Sequence, residues 1–567
     1  MPLPRTLLDR AEPTDADLSV VQGAWPADLT GEIVISAPHP ETFGGLHAFF
    51  GDGITYRLSL QPGSHGADAE RFAWRWGWID SPSARLRKKR PDVFESTMLG
   101  VNSPFGLSNS ANTAPLPWGD RLFMTWDVGR PVEIDPVTLG FLGEVGHRSE
   151  WKEFLPHPVL PFITSTAHPV IDPDRDCLWT VNTHWGQLHV VRWDGDGRLQ
   201  SWPIEGATIP QSLHTITVTR DWIVVADCAF KVEPQMLNGG ERTEPNNPSE
   251  PLYLIRKADL DRTPVGDAVS CKTFTVAPEV MHYYGVYDDS DGVRVVFEHT
   301  ENSELGLAQR AGDVDALGRP CDPAFVGLYG FPMSPSRMSM IEFDPETGRQ
   351  TEQASLYEPG RYFAQQLSAL DWSTEGVTAP TVRHMLYHGW RPEAVTQRHL
   401  ALYGDRVDRT LLPTEETPAV LASLSMPDLQ PLSDYTWPLD DLPSSPIFVP
   451  RDPGAGASRY AGSKPGGHDG YVVVPVMSDA GFRVEVFDAD DVGRGPRVTL
   501  AAPNHRVAFI LHSAWMPRAV SAPDLERTRF ATELDGLEAL PDDLAAAARE
   551  VARELDDGVA MHAGVAQ

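Results

Sequence analysis

Four histidines of the 567-residue chain sit in contexts alike in kind. His168 lies in Ser165-Thr166-Ala167-His168-Pro169-Val170-Ile171-Asp172-Pro173, and His214 in Leu213-His214-Thr215-Ile216-Thr217-Val218-Thr219. His282 lies in Met281-His282-Tyr283-Tyr284-Gly285-Val286-Tyr287-Asp288, and His512 in Phe509-Ile510-Leu511-His512-Ser513-Ala514-Trp515. Each stands at a strand end among apolar or small residues, as a buried ligand on a common axis would. Neutral imidazoles suit iron, copper or zinc. Taken singly, each is better explained as a satisfied core or surface histidine. Spacing does not select them from the 18 histidines, because ligands gathered on an axis by separate strands are remote in sequence.

The elements that must position them are short strands between turns. Glu32–Ser36, Ile54–Leu60, Arg121–Asp127, Leu188–Asp194 and Trp222–Cys228 are rich in β-branched and aromatic residues and partly alternate. So do Gly292–His299, Met338–Asp344, Gly470–Met477 and Arg483–Ala489. A recurrent punctuation, EIDPVTLG, VIDPDRD, EFDPETGRQ and VFDADDVGRG, ends a strand on Asp, whose side chain favours an Asx-type turn. Strand, turn and strand at irregular intervals predict an all-β, blade-built propeller without a strict repeat. An array of β-sandwiches is the alternative, but no composition break delimits one.

Residues 231–252, rich in Pro, Gly and Asn, read as a long loop. The stretch from Leu525 to Leu555 contains DDLAAAAREVARELDD, an amphipathic helix with a start at Pro541-Asp542-Asp543. The expected organisation is a body over 1–520 and a helical extension over 521–567. A net charge of -32 argues against a nucleic-acid partner, which needs Lys/Arg clusters. The one basic run, Arg85 to Arg90, reads as a solvated loop. Cys177, Cys228, Cys271 and Cys321 form neither a zinc ribbon nor a disulfide framework. With no apolar leader and no ~20-residue apolar stretch, a soluble cytoplasmic protein is the expectation.

Ordered along the chain, these segments resemble the carotenoid cleavage oxygenase family, as a divergent bacterial-type member. His47-Ala48-Phe49-Phe50-Gly51-Asp52-Gly53-Ile54 resembles "HWFDGDGM". Ala111-Asn112-Thr113 and Trp126-Asp127-Val128-Gly129-Arg130-Pro131-Val132-Glu133-Ile134-Asp135-Pro136 resemble "ANT…LWEGGxPYELDP". Thr166 to Pro169 is similar to "TAHP", Leu213 to Thr217 to "xHDFAIT", and His282 to Asp288 to "HxxNAYE". Phe448 to Arg451, His468-Asp469-Gly470 and Leu511-His512 resemble "EPxFVPR…DDG…FHGxW". The resemblance implies a seven-bladed propeller capped by loops and a helix, with Fe(2+) on its axis held by His168, His214, His282 and His512. It implies a dioxygenase that cleaves a conjugated C=C bond with O2 to two carbonyl products. Thr113 aligns with a residue whose methyl group helps block one iron position, although an ordinary turn threonine fits it as well.

The pattern is broken outside the ligands. The family's three glutamates that accept Nδ1–H from ligating rings orient them and raise their basicity. Asp127 stands in place of the first and Ser445 in place of the last. The middle one has Tyr362, Phe363, Ala364, Gln365 and Glu358 as candidates. Trp126 replaces the lysine with which stilbene-cleaving relatives engage a phenol, which tilts the substrate toward a carotenoid, an apocarotenoid or another apolar alkene. Stilbene cleavage, an iron Lewis-acid isomerase and a non-catalytic scaffold stay open. The sequence is silent on oligomeric state and on a peripheral membrane contact that would collect an apolar substrate.

Overall fold

All nine strand segments read from the sequence are strands, within two residues at either end. The computed structural model describes residues 3–39, 47–94, 102–369, 381–451 and 468–565, except 67, 69, 232, 234, 237–241 and 427. Five sheets of similar size follow one another along the chain, antiparallel except where Val269–Ser270 joins Gln200–Thr208 in parallel. Their edge strands, in order, are Ala114–Trp118, Val170–Asp172, Ile216–Val218, Val280–Gly285 and Gln365–Ala369. Each of these strands pairs with the strand after it, as consecutive hairpin strands do. The sheets form a propeller-like, all-β arrangement. Apolar faces of neighbouring sheets meet between them, as where Val181, Val190 and Trp179 of one pack with Ile223, Val225 and Tyr253 of the next.

The largest sheet has ten strands and joins the two ends of the chain. Its C-terminal part, Gly470–Ser478, Gly481–Asp488 and Val498–Ala501, continues through Ala16–Gly23. Beyond it lie Phe72–Trp78, Gly53–Ser59, Glu32–Pro38 and finally Ser513–Met516. The joint is tight at Gly23, opposite Val498. A Cβ there would lie 2.0 Å from the Arg497 carbonyl oxygen, and φ is +78°. Only glycine meets both demands without strain.

Three of the four Asp turns close as expected. Asp135 Oδ1 accepts from the N–H groups of Val137 and Thr138, Asp172 Oδ1 from Asp174 and Arg175, and Asp344 Oδ1 from Glu346 and Thr347. In the fourth, Asp488 instead faces Arg497, and Asp491 makes the turn bond to Gly493. The loop expected over 231–252 gives way to a strand at Glu250, and its residues 232, 234 and 237–241 lie outside the described ones.

The basic run is not a solvated loop. Ser81 caps a helix over Pro82–Lys89, with its hydroxyl accepting from the Ala84 N–H. Leu86 enters a cluster with Phe105, Leu544, Ala548, Val551 and Leu555 of the C-terminal region. Lys89 and Arg90 pair with acids of the C-terminal helix, Glu550 at 2.6 Å and Asp543 at 2.8 Å, while Arg85 and Lys88 pair with Asp80 and Arg87 with Asp52. Tertiary packing, invisible in a local charge run, made this segment helical. The C-terminal helix spans Asp542–Val565, and short 3₁₀ turns at Phe530–Glu533 and Leu537–Ala539 precede it.

Several core histidines are held neutral. Burial, reinforced by Arg337, pushes His299 down to about 4, and burial pushes His47 and His399 to about 4. In the unfolded chain such rings take up a proton near pH 6.5. Between pH 6.5 and 4 the unfolded state therefore binds more protons at these sites, so their contribution to stability is full above pH 6.5 and is lost as pH falls. Each ring costs up to about 3 kcal/mol at pH 4. His299 donates through Nδ1 to Pro278 O at 2.8 Å and accepts from Ser339 Oγ. In His299→Gln, the loss of unfolding free energy between pH 7 and pH 5 should shrink by about 2 kcal/mol. Urea unfolding at the two pH values checks it, and an unchanged loss would mean that the folded ring already takes the proton.

Candidate metal centre

Four edge strands of four different sheets bring the four histidines together. His168 and His214 lie two residues before the strands Val170–Asp172 and Ile216–Val218, and His512 directly precedes Ser513–Met516. His282 lies inside its strand, Val280–Gly285, rather than before it. The register slips between Val280 and His282, and such a bulge re-aims a side chain. Tyr283, on the opposite face of that strand, is fully buried. Its hydroxyl donates to Thr215 O and accepts from Ala226 N, which fixes the strand behind His282.

Backbone bonds lock the neighbouring edges to each other. His168 N donates to His214 O at 3.0 Å, and His512 N to Thr113 O at 3.3 Å. Ser36 clasps His512, its N–H donating to His512 O while its own carbonyl accepts from Leu511 N. One ligand nitrogen from each of the four histidines lies within 4.8 Å of the other three. His214 Nε2 and His282 Nε2 are 3.1 Å apart, and His168 Nε2 is buried without a hydrogen-bond partner. Burial, aided by the neighbouring rings, holds His168 and His282 well below the usual imidazole range, and pushes His512 down to about 3. Those three rings are neutral at physiological pH, the form that ligates a metal.

Asp127 acts on two of the four segments. Its Oδ2 accepts from His214 Nδ1 at 2.9 Å, and its Oδ1 accepts from Ala167 N at 3.0 Å, directly before His168. Because the carboxylate accepts at Nδ1, the Nε2 of His214 carries the bare lone pair. The shorter acid thus still reaches the ring. Ser445, buried and with φ +38°, makes no hydrogen bond to any of the four rings among the described residues. Of the candidates for the middle position, Glu358 pairs with Arg361 at the surface. Gln365 lines the cavity beside His282 but is not bonded to it.

These donors fit one metal ion. Ligand nitrogens bound at ~2.1 Å stand no more than about 4.2 Å apart, so the cluster closes on an ion with a contraction of about half an ångström at most. Imidazole donors alone accept iron, zinc, copper or nickel. On one side the rings open on a cavity of about 990 Å3, walled by Phe49, Phe50, Trp126, Phe230, Tyr329 and Phe509. Thr113 also faces it, its hydroxyl donating to Asn112 Oδ1. On the other side His168 and His512 border a second cavity of about 950 Å3, lined by Thr217, Tyr284 and Ser445. The aromatic wall was not legible in the sequence, apart from Trp126 and the His47–Ile54 motif. Phe230, His388 and Phe509 come from separate loops and Tyr329 from the short strand Tyr329–Gly330, with no shared spacing. His47 itself is structural, with Nδ1 accepting from Phe49 N and Nε2 donating to Leu305 O.

A family model described as retinal pigment epithelial membrane protein matches residues 8–517. The chain belongs to that family, the carotenoid oxygenases. The apocarotenoid-15,15'-oxygenase of Synechocystis is 28% identical over 173 residues, 29% of this chain and 34% of the relative. Resveratrol cleavage oxygenase 1 of Chaetomium globosum is 26% identical over 272 residues, 41% of this chain and 39% of the relative. These matches thus span well under half of the relatives' lengths. Over the whole fold the agreement is broader. A variant of the Synechocystis apocarotenoid oxygenase superposes with a TM-score of 0.62 at 16% identity, covering 90% of this chain and 98% of that one. The lignostilbene dioxygenase of Pseudomonas brassicacearum gives 0.61 at 19% identity, covering 91% and 100%. Members of that family are non-haem iron enzymes, and a four-histidine cluster that could hold a metal is present in this chain.

Proposed function

We propose that the protein is a non-haem Fe(2+) oxygenase that cleaves a C=C bond of an apolar conjugated alkene with O2, giving two carbonyl products. The observation that carries this reading is the cluster of four buried imidazoles opening directly on an aromatic cavity. His168, His214, His282 and His512 would hold the iron. When bound, the metal supplies the activation of O2. The chain's own contribution is positioning and exclusion of water. Asp127 keeps His214 in the tautomer that offers Nε2, and the aromatic walls fix the alkene beside the rings and keep the site dry. Thr113 faces the same space, where its methyl group would restrict access to one side of the metal.

Seven edge strands support a seven-bladed reading. The ten-stranded sheet counts as two blades merged through Ala16–Gly23, one ending on Ile447–Pro450 and the other on Ser513–Met516. The inner strands then begin at or beside Thr113, His168, His214, His282, Gln365, Ser445 and His512. Four of seven equivalent positions carry the ligands. We read residues 521–567 as an extension whose helix, Asp542–Val565, docks on the 1–520 body, and no helix among the described residues is long and apolar enough to cross a membrane. We read the protein as cytoplasmic.

Trp126 in the cavity wall favours a carotenoid or apocarotenoid over a stilbene held by a lysine clamp. After anaerobic Fe(2+) reconstitution, elemental analysis should find about one iron per chain. Carbonyl products formed under labelled O2 should carry the label. Iron well below one per chain overturns the reading, and unlabelled, isomerised product would move it to Lewis-acid chemistry.

A further inference from the structure

The cavity beside the histidines is walled mainly by aromatic and apolar side chains, with Thr113, Thr300, Ser303, Gln366 and Ser444 as scattered polar ones and His388 and Gln365 as a polar pair on one wall. His388, 94% buried by its 6% exposure, lines it from the turn after the strand Val382–Tyr387. Its Nε2 lies 2.8 Å from Pro443 O, which only accepts, so Nε2 carries the proton. Nδ1 is therefore a lone-pair acceptor, and it is buried with no hydrogen-bond partner in the protein. Burial and the Arg391 charge keep the ring from protonating, pushing it down to about 3, so Nδ1 cannot turn into a donor at neutral pH. Gln365 sits beside it across the strand pair, where His388 N donates to Ala364 O. It is 5% exposed, lines the same cavity, and has neither amide atom paired.

Leaving a buried polar atom unpaired costs stability, and two such side chains adjacent on one wall of a largely aromatic cavity call for a polar group on what enters it. The demand is specific in sign. A carbonyl or an ether oxygen cannot satisfy His388 Nδ1, whereas an O–H can, with Gln365 able to donate to the oxygen of a hydroxyl or accept its proton. We propose that His388 is a specificity-determining residue that accepts a hydrogen bond from a hydroxyl group on the alkene substrate, with Gln365 as the second polar contact of that subsite. The proposal rests on the cavity being the alkene site. It adds to that reading that the substrate is a hydroxylated alkene, whether the hydroxyl is a phenol or a ring alcohol at the end of a polyene.

The test is equilibrium binding to the full-length protein without turnover, followed by quenching of tryptophan fluorescence, since Trp126 lines the cavity. One arm compares trans-4-hydroxystilbene with trans-stilbene. The other compares an apocarotenal bearing a 3-hydroxyl on its ring with its unhydroxylated counterpart. In at least one arm the hydroxylated member should bind about tenfold or more tightly, and that arm identifies the source of the hydroxyl. His388→Gln keeps a donor for Pro443 O but removes the acceptor at the Nδ1 position, and should bring the pair close to parity. His388→Asn places a carbonyl oxygen near the Nδ1 position and should retain the preference. Parity in both arms for the unaltered protein, no binding of any of the four, or an undiminished preference in His388→Gln would overturn the proposal. The binding preference is expected whether or not the iron-loaded protein turns over an alkene. A failed oxygenase assay therefore bears on the oxygenase reading and not on this one.

Discussion

His214→Ala should strip the protein of both metal retention and alkene cleavage while leaving its circular dichroism spectrum and unfolding midpoint nearly unchanged. The ring contributes little to the core. It is held by a single carboxylate, and its Nε2 faces the other histidines rather than an apolar neighbour. The strand that follows it is fixed independently by Tyr283 O–H donating to Thr215 O and by pairing with Trp222–Ala226. Removing the ring leaves three of four donors and an Asp127 carboxylate held only by the Ala167 N–H beside the site. Loss of an outer hydrogen-bond partner costs about tenfold to a hundredfold in metal affinity or activity, and loss of a ligand exceeds that. Asp127→Asn provides the graded comparison. The amide can still accept from Ala167 N or from the ring but brings no charge, so an intermediate loss within that tenfold-to-hundredfold range is expected. Metal content after Fe(2+) reconstitution and product formation, measured side by side, check both variants. Turnover that persists in His214→Ala would show that the ligands are chosen wrongly.

That variant also marks how far the sequence reaches. The strands were legible because β-branched and aromatic runs broken by Asp, Gly and Pro are a local signal, and all nine segments fold as such. The edge position of each histidine was legible only in part. His282 was expected before its strand and lies within it, because a bulge depends on the partner strand Val293–His299 and leaves no mark in the residues themselves. Which four of 18 histidines meet could not be derived from spacing, since they come from four sheets separated by 46, 68 and 230 residues in the chain. The family motifs supplied that choice. The outer partners were half legible: Asp127 falls where a carboxylate is expected and makes the bond, while Ser445 and Gln365 do not replace the missing ones. The basic run is a packed helix rather than a solvated loop because the surface that buries Leu86 and the acids that pair with Lys89 and Arg90 include the C-terminal helix, more than 450 residues away.

Arg130→Met should lower stability by about 3–5 kcal/mol, the usual cost of removing one member of a buried ionic group. Arg130 is three residues beyond Asp127, and its side chain is 5% exposed. Nη1 and Nη2 donate to the two Glu533 oxygens at 2.6 and 2.7 Å, Nη1 also donates to Gly146 O at 2.7 Å, and Nη2 also reaches Glu144. Glu533 is held further by the Arg148 N–H at 2.8 Å and lies just before the C-terminal helix. Burial raises the Glu144 carboxyl above its usual range, while the Arg130 charge keeps Glu533 below it despite its own burial. The planar guanidinium serves both carboxylates at once, a geometry that a lysine cannot copy. Without it, two buried carboxylates face each other with no countercharge between them, and one must protonate or the segment 530–541 must lift from the body. Arg130→Met with Glu533→Gln should recover part of the loss, because one of the two facing charges is then gone. Thermal unfolding of the single and double variants measures the coupling, and limited proteolysis near residue 533 tells local release from global unfolding. Equal melting temperatures for the unaltered protein and Arg130→Met would mean that the triad holds nothing. Because Arg130 shares a four-residue stretch with Asp127, a release there is also expected to loosen iron retention, which would tie the C-terminal extension to the metal centre through a single side chain.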